Sequence, residues 1–190
     1  MTLIVATTCL GGIAISGDSI AKYRQGVTFV PAPPARKLFH IGAAVIGASF
    51  GGYNRDPNDF FERVDAACGP GAGPREVTVE LAAQTRLYDV PLSFIVVGFN
   101  RHGFPEVWRQ RPNAPPEEPI EDIGFACVGW HNEAGVLDAS RVPTLDAAAI
   151  HSRSVITSEI ARAKSAGEEP MVAEPIVTYV CWPDRTQLWT

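Results

Sequence analysis

The sequence carries no surplus of positive charge. Its 16 lysines and arginines are outnumbered by 21 aspartates and glutamates, giving a formal net charge of -5. No block of like charge stands out, so a nucleic-acid partner, which needs a basic field, is not expected. No apolar run reaches the roughly 18 residues a membrane-spanning helix needs, and no membrane partner is expected. Residues 3 to 17 are largely apolar, but no lysine or arginine precedes them, two glycines interrupt them, and their composition favours strand over helix, which argues against a secretory leader. The four cysteines, Cys9, Cys68, Cys127 and Cys181, lie far apart without Cys-x-x-Cys spacing. They read as reduced thiols of a cytoplasmic protein. Four histidines, His40, His102, His131 and His151, show no metal-ligand spacing, and neither a metal nor another cofactor is expected.

What is present is a chain of 190 residues, long enough to bury one sizeable core and read as a single domain, 1-190. Residues 2 to 9 are rich in β-branched side chains and stop at Gly11-Gly12, after which Ile13 to Asp18 resumes a strand pattern. A short loop between them places Thr2 opposite or diagonal to Asp18. A second hairpin runs from Lys37 to Ile41, turns near Gly42, and returns from Ala44 to Ser49, bringing Lys37 near the end where Gly51 and Gly52 emerge. Two glycines there let backbone N–H groups approach a ligand with no Cβ in the way.

At these residues the sequence resembles the proteasome β-subunit group of N-terminal nucleophile hydrolases and its bacterial peptidase relatives. Thr2 resembles the family nucleophile once Met1 is removed, Gly17-Asp18-Ser19 is similar to the Gly/Ala-Asp-Ser/Gly turn, and Lys37-Leu38-Phe39 resembles Lys-Ile-Phe. Gly51 matches the glycine whose N–H serves as oxyanion donor, and Ser49 the base of the specificity pocket, here small and polar and so open to large side chains. Two stretches depart from the family pattern. Gly129-Trp130-His131 stands in place of Gly-Ser-Gly, and residues 167 to 174 replace Asp-x-x-Ser-Gly-Gly, with Glu168 or Glu169 as stand-ins for the aspartate. His131 reads either as a substitute acid or base or as the start of a short helix over Asn132 to Asp138.

The rest of the pattern is α+β. Val27 to Val30 forms a short strand followed by Pro31-Ala-Pro-Pro34 as a stiff connector. A helix begins at Asp56-Pro57-Asn58, with Phe60, Phe61, Val64 and Ala67 on one face; a second covers Arg75 to Tyr88. Leu92 to Gly98 and Phe104 to Arg109 form a third hairpin, and Ile123 to Val128 a further strand. Thr144 caps a long helix with Leu145, Ala149, Ser152, Ile156, Ile160 and Ala163 on one face. Glu174 to Trp182 and Arg185 to Trp189 close the chain as a hairpin. The first strands are small or apolar on both faces, which predicts cover on both sides and a four-layer helix-sheet-sheet-helix sandwich; the resemblance implies the same architecture.

A threonine hydroxyl needs a base, and the amine left on Thr2 by loss of Met1, with an ordinary pKa of about 7.7 to 8.0, suits neutral pH. Lys37 would lower the proton affinity of hydroxyl and amine, Asp18 would hold the lysine charged, and the Gly51 N–H would stabilise the oxyanion. The expected reaction is acyl transfer to Thr2 followed by hydrolysis of a peptide or unfolded protein. Two other readings stay open: a non-catalytic assembly homologue, motivated by the altered motifs, and an acyltransferase or peptide ligase. The resemblance implies a ring-type homo-oligomer enclosing Thr2, and leaves open an ATP-dependent unfoldase as partner. With 46% hydrophobic residues and four tryptophans, the composition fits apolar surface covered by neighbouring copies.

Overall fold

A computed structural model describes residues 2–19, 21–25, 28–32, 35–50, 57–111, 114–117, 119, 125–129, 142–168 and 172–190. The chain is α+β. Strands β1 (Leu3–Cys9) and β2 (Gly12–Gly17) form the first hairpin, with Ile4 facing Gly17 and Cys9 facing Gly12. Its two-residue loop ends on Gly11, whose φ of +75° is a conformation that a residue without a Cβ adopts at no steric cost. This pair lies inside an antiparallel sheet with β9 (Phe125–Gly129), β10 (Val177–Trp182) and β11 (Arg185–Leu188), in the order β11-β10-β2-β1-β9. A second antiparallel sheet takes β5 (Leu38–Ile41), β6 (Ala44–Phe50), β7 (Leu92–Phe99) and β8 (Pro105–Gln110) in sequence order. A separate ribbon pairs β3 (Ala21–Gln25) with β4 (Thr28–Ala32).

Alternation along each strand sorts the side chains into three packing zones. Ile4, Ala6, Ile13 and Ile15 meet Leu38, Val45, Ile95 and Val97, so the two sheets share a core. On the other face of the first sheet, Leu3 and Val5 pack against Val155, Ile156 and Ile160 of helix α3 (Leu145–Ser165), and Ala14 against Ala148 and Ala149. The far face of the second sheet, through Phe39, Ile46 and Phe94, packs against α1 (Pro57–Cys68) and α2 (Pro74–Leu87). Burial on both faces explains why these strands are apolar throughout instead of alternating.

Several element boundaries differ from the sequence expectation. Pro31 is not connector but part of β4, opposite Lys22; a two-stranded ribbon has an open edge on each strand, where a missing N–H costs no ladder bond. Ala67 is exposed, and the buried stripe of α1 runs Phe60, Phe61, Val64 and then the partly buried Cys68, an i+4 step in place of i+3. Helix α2 starts one residue earlier, because Pro74 fits the first helical position, and ends at Leu87. Phe104 lies outside β8 and is 61% exposed, since Asn100 Oδ1 accepts the N–H groups of His102 and Phe104 and holds the turn. The last hairpin starts at Val177, after Pro175, which has no N–H to give a ladder. Helix α3 is capped by Thr144, whose hydroxyl accepts from the Ala147 N–H, and buries a wider stripe than expected, including His151, Val155 and Glu159. Residues 123–124, 130–141, and with them the short helix expected over Asn132 to Asp138, lie outside the described residues. No described helix is long and apolar enough to cross a membrane.

Candidate active site

Thr2 stands at the start of β1 and Asp18 just past the end of β2, one step beyond the last ladder pair at this end of the hairpin. The Leu3 N–H donates to Asp18 Oδ1 at 2.8 Å and the Asp18 N–H donates back to the Leu3 carbonyl at 3.3 Å. The carboxylate thus replaces a strand carbonyl and fixes the backbone beside Thr2. Both residues are buried, Thr2 at 2% and Asp18 at 1% exposure.

Lys37 arrives from the other sheet. Its carbonyl accepts the Ala48 N–H at 2.9 Å, which ties it to β6 immediately before β5 begins. Its Nζ donates to Thr2 Oγ1 at 2.7 Å, within the range of a charge-assisted bond. Burial pushes the proton affinity of Lys37 below the ordinary lysine range, and the nearby charge of Asp18 opposes that shift. The structure therefore brings together three of the residues read from the sequence, with a desolvated amine on the Thr2 hydroxyl.

Ser49 lies in β6 opposite Ser93 of β7 and is partly exposed. By alternation it shares the strand face of Val45, whose side chain enters the core between the sheets, so it lies on the Thr2 side of its sheet. Gly51 lies outside the described residues, as do Trp130, His131 and Glu169. Gly129, the first residue of the altered stretch, ends β9 opposite Leu3. Glu168 does not join the site: it is exposed past the end of α3 and pairs with Arg162 at 3.3 Å.

Sequence reasoning gave Ser19 no role beyond its motif. Its hydroxyl is buried, at 6% residue exposure, and has no hydrogen-bond partner among the described residues. Its backbone is engaged instead: the N–H donates to the Ala173 carbonyl at 3.5 Å and the carbonyl accepts from the Ala35 N–H at 2.9 Å. The turn is thereby tied both to the segment after α3 and to the approach to Lys37. Among the described residues, no group of three histidine, cysteine, aspartate or glutamate side chains is placed to hold a metal ion. The Cys68 and Cys181 thiols are pushed up to about 11 and about 12 by burial, leaving them far from thiolate at neutral pH. No protein-family model matches this chain, and no curated protein matches it either.

Proposed function

We propose that this chain is a threonine peptidase or amidohydrolase of the proteasome β-like N-terminal nucleophile group, with the four-layer helix-sheet-sheet-helix sandwich of that group. The observation that carries the reading is the 2.7 Å bond from Lys37 Nζ to Thr2 Oγ1, made between two sheets and next to a carboxylate that fixes the Thr2-Leu3 backbone. A surface threonine and a solvated lysine have no reason to meet in this way, since a buried ammonium is costly unless something uses it.

In the proposed mechanism, loss of Met1 leaves an amine on Thr2. The amine takes the hydroxyl proton as Oγ1 attacks the substrate carbonyl, while Lys37 stabilises the developing alkoxide and Gly51 N–H the oxyanion. The amine then passes its proton to the leaving nitrogen, and an ester to Thr2 remains. Water, deprotonated by the same amine, attacks the ester, releases the carboxylic acid and restores the hydroxyl. Thr2→Ala should abolish amide turnover in processed, folded protein, and undiminished turnover would remove Thr2 from this role.

The same reading makes the chain a ring-type homo-oligomer with Thr2 facing an enclosed chamber in the cytoplasm, cleaving peptides or unfolded protein through the open pocket at Ser49. An ATP-dependent unfoldase is a fitting partner for such a chamber. Light scattering on the eluting protein should give a multiple of 20.4 kDa; a clean monomer at low micromolar concentration contradicts the chamber. The non-catalytic alternative rests on Trp130 in place of the family serine, and predicts a processed Thr2 that no threonine-directed reagent acylates.

A further inference from the structure

The bond from Lys37 to Thr2 spans two sheets, so its length depends on how closely those sheets approach at this end. Between the sheets at this end stands Ile4, two residues along β1 from Thr2 and on the same strand face, with 0% exposure. Its side chain is gripped between two glycines. Gly17 is its cross-strand neighbour, and a Cβ there would stand 2.9 Å from Ile4 Cδ1 and 3.4 Å from the Lys37 Cβ. Gly47 belongs to the facing sheet, and a Cβ there would overlap Ile4 Cγ2 outright and stand 3.2 Å from Ile15 Cδ1. Gly47 is also the ladder partner of Leu38, the residue after Lys37. Any displacement of β6 from β1 at Gly47 is therefore passed to Lys37 through the first pair of the β5-β6 ladder.

We infer that Gly47 is a positioning residue: the absence of its side chain lets Ile4 seat β1 on β6, and this seating sets the reach of Lys37 Nζ to Thr2 Oγ1. The inference rests on the threonine-nucleophile reading. Interiors are close-packed and give little, so the extra methyl of Gly47→Ala has to move a strand rather than fill a void. A displacement of about 1 Å at reacting groups is enough to cost about a hundredfold in rate.

The test uses processed, full-length protein, with rates normalised to the folded fraction, and compares Gly47→Ala with Gly47→Ala/Ile4→Ala, in which shortening Ile4 returns the space. Gly47→Ala should lose about a hundredfold in kcat at neutral pH with KM little changed. The acidic limb of its pH profile should move to higher pH, because Lys37 charge displaced from Thr2 no longer depresses the proton affinity of the amine. The double variant should recover most of the rate and the original profile. A Gly47→Ala protein with the parental kcat and pH profile overturns the inference, and so does a double variant as slow and as shifted as the single one. Where Gly47→Ala does not fold, the double variant decides: the parental profile supports the inference and a shifted one overturns it. Retained turnover in Thr2→Ala, by contrast, brings down the reading beneath it.

Discussion

Two buried polar clusters lie on opposite faces of the five-stranded sheet, and they are built on opposite principles. Toward α3, Ser16 Oγ meets Ser152 Oγ at 2.6 Å and Thr178 Oγ1 at 2.8 Å, Ser152 donates to the Ala149 carbonyl at 3.0 Å, and Arg153 Nη1 reaches Thr178 Oγ1 at 3.3 Å. One direction of donation, from Arg153 through Thr178, Ser16 and Ser152 to Ala149, serves every hydroxyl with a donor and an acceptor. This is a closed network that holds a helix to a sheet. At the head of β1 the groups are charged or unserved: a desolvated lysine on Thr2, a carboxylate inserted into a strand ladder, and a serine hydroxyl with no partner among the described residues. Polar groups that stabilise a fold are mutually satisfied, whereas an arrangement left incomplete is ready for a ligand or a reacting group.

The contrast breaks most sharply at Lys37. Lys37→Met should reduce kcat/KM by about a thousandfold or more, the scale of lost transition-state electrostatics, without unfolding the protein. It should also change how stability depends on pH. Burial holds the folded-state proton affinity of Lys37 below its usual 10.5, so beneath that pH the unfolded chain binds more protons than the folded one and stability gains as pH rises. Parent protein should therefore gain stability relative to Lys37→Met as denaturation midpoints are followed from neutral pH toward 10.5; a constant difference contradicts the desolvated state of the lysine. The smaller effect is expected across the sheet. Ser16→Ala leaves Ser152 and Thr178 short of a partner and should cost about 1 to 3 kcal/mol of stability, read from urea midpoints, with kcat per folded molecule unchanged. A Ser16→Ala protein of full stability but impaired kcat would mean that the two clusters are not separate in purpose.

The two regions also differed in how far the sequence revealed them. Thr2, Asp18 and Lys37 sit at the ends of hairpins, where a turn signal fixes the register locally; the observed pairing of Ile4 with Gly17 sets Asp18 across from Leu3, one residue away from the opposite or diagonal placement read for Thr2. The Ser16 network joins positions 136 and 162 residues apart, and each of its members looks alone like an ordinary small polar residue. Gly47 is equally silent, because β6 mixes small and larger apolar residues and only the facing Ile4 shows why this position has to be glycine. Helix faces are legible to within a turn: Phe60, Phe61 and Val64 lie on the buried face of α1 as expected, while the partly buried Cys68, and not Ala67, continues that stripe. Pro31 departs from the connector expected of it because a local rule about proline does not show that its strand has an open edge.

The central claim is that Thr2, as a free N-terminal residue, is the nucleophile. It is tested most directly by treating purified, full-length protein with a threonine-directed acylating reagent and locating the adduct by mass spectrometry of the N-terminal peptide. The account predicts a peptide beginning at Thr2, without Met1, carrying one acyl group whose appearance matches the loss of amide-cleaving activity. Active protein that retains Met1, or an adduct on any other residue, contradicts it.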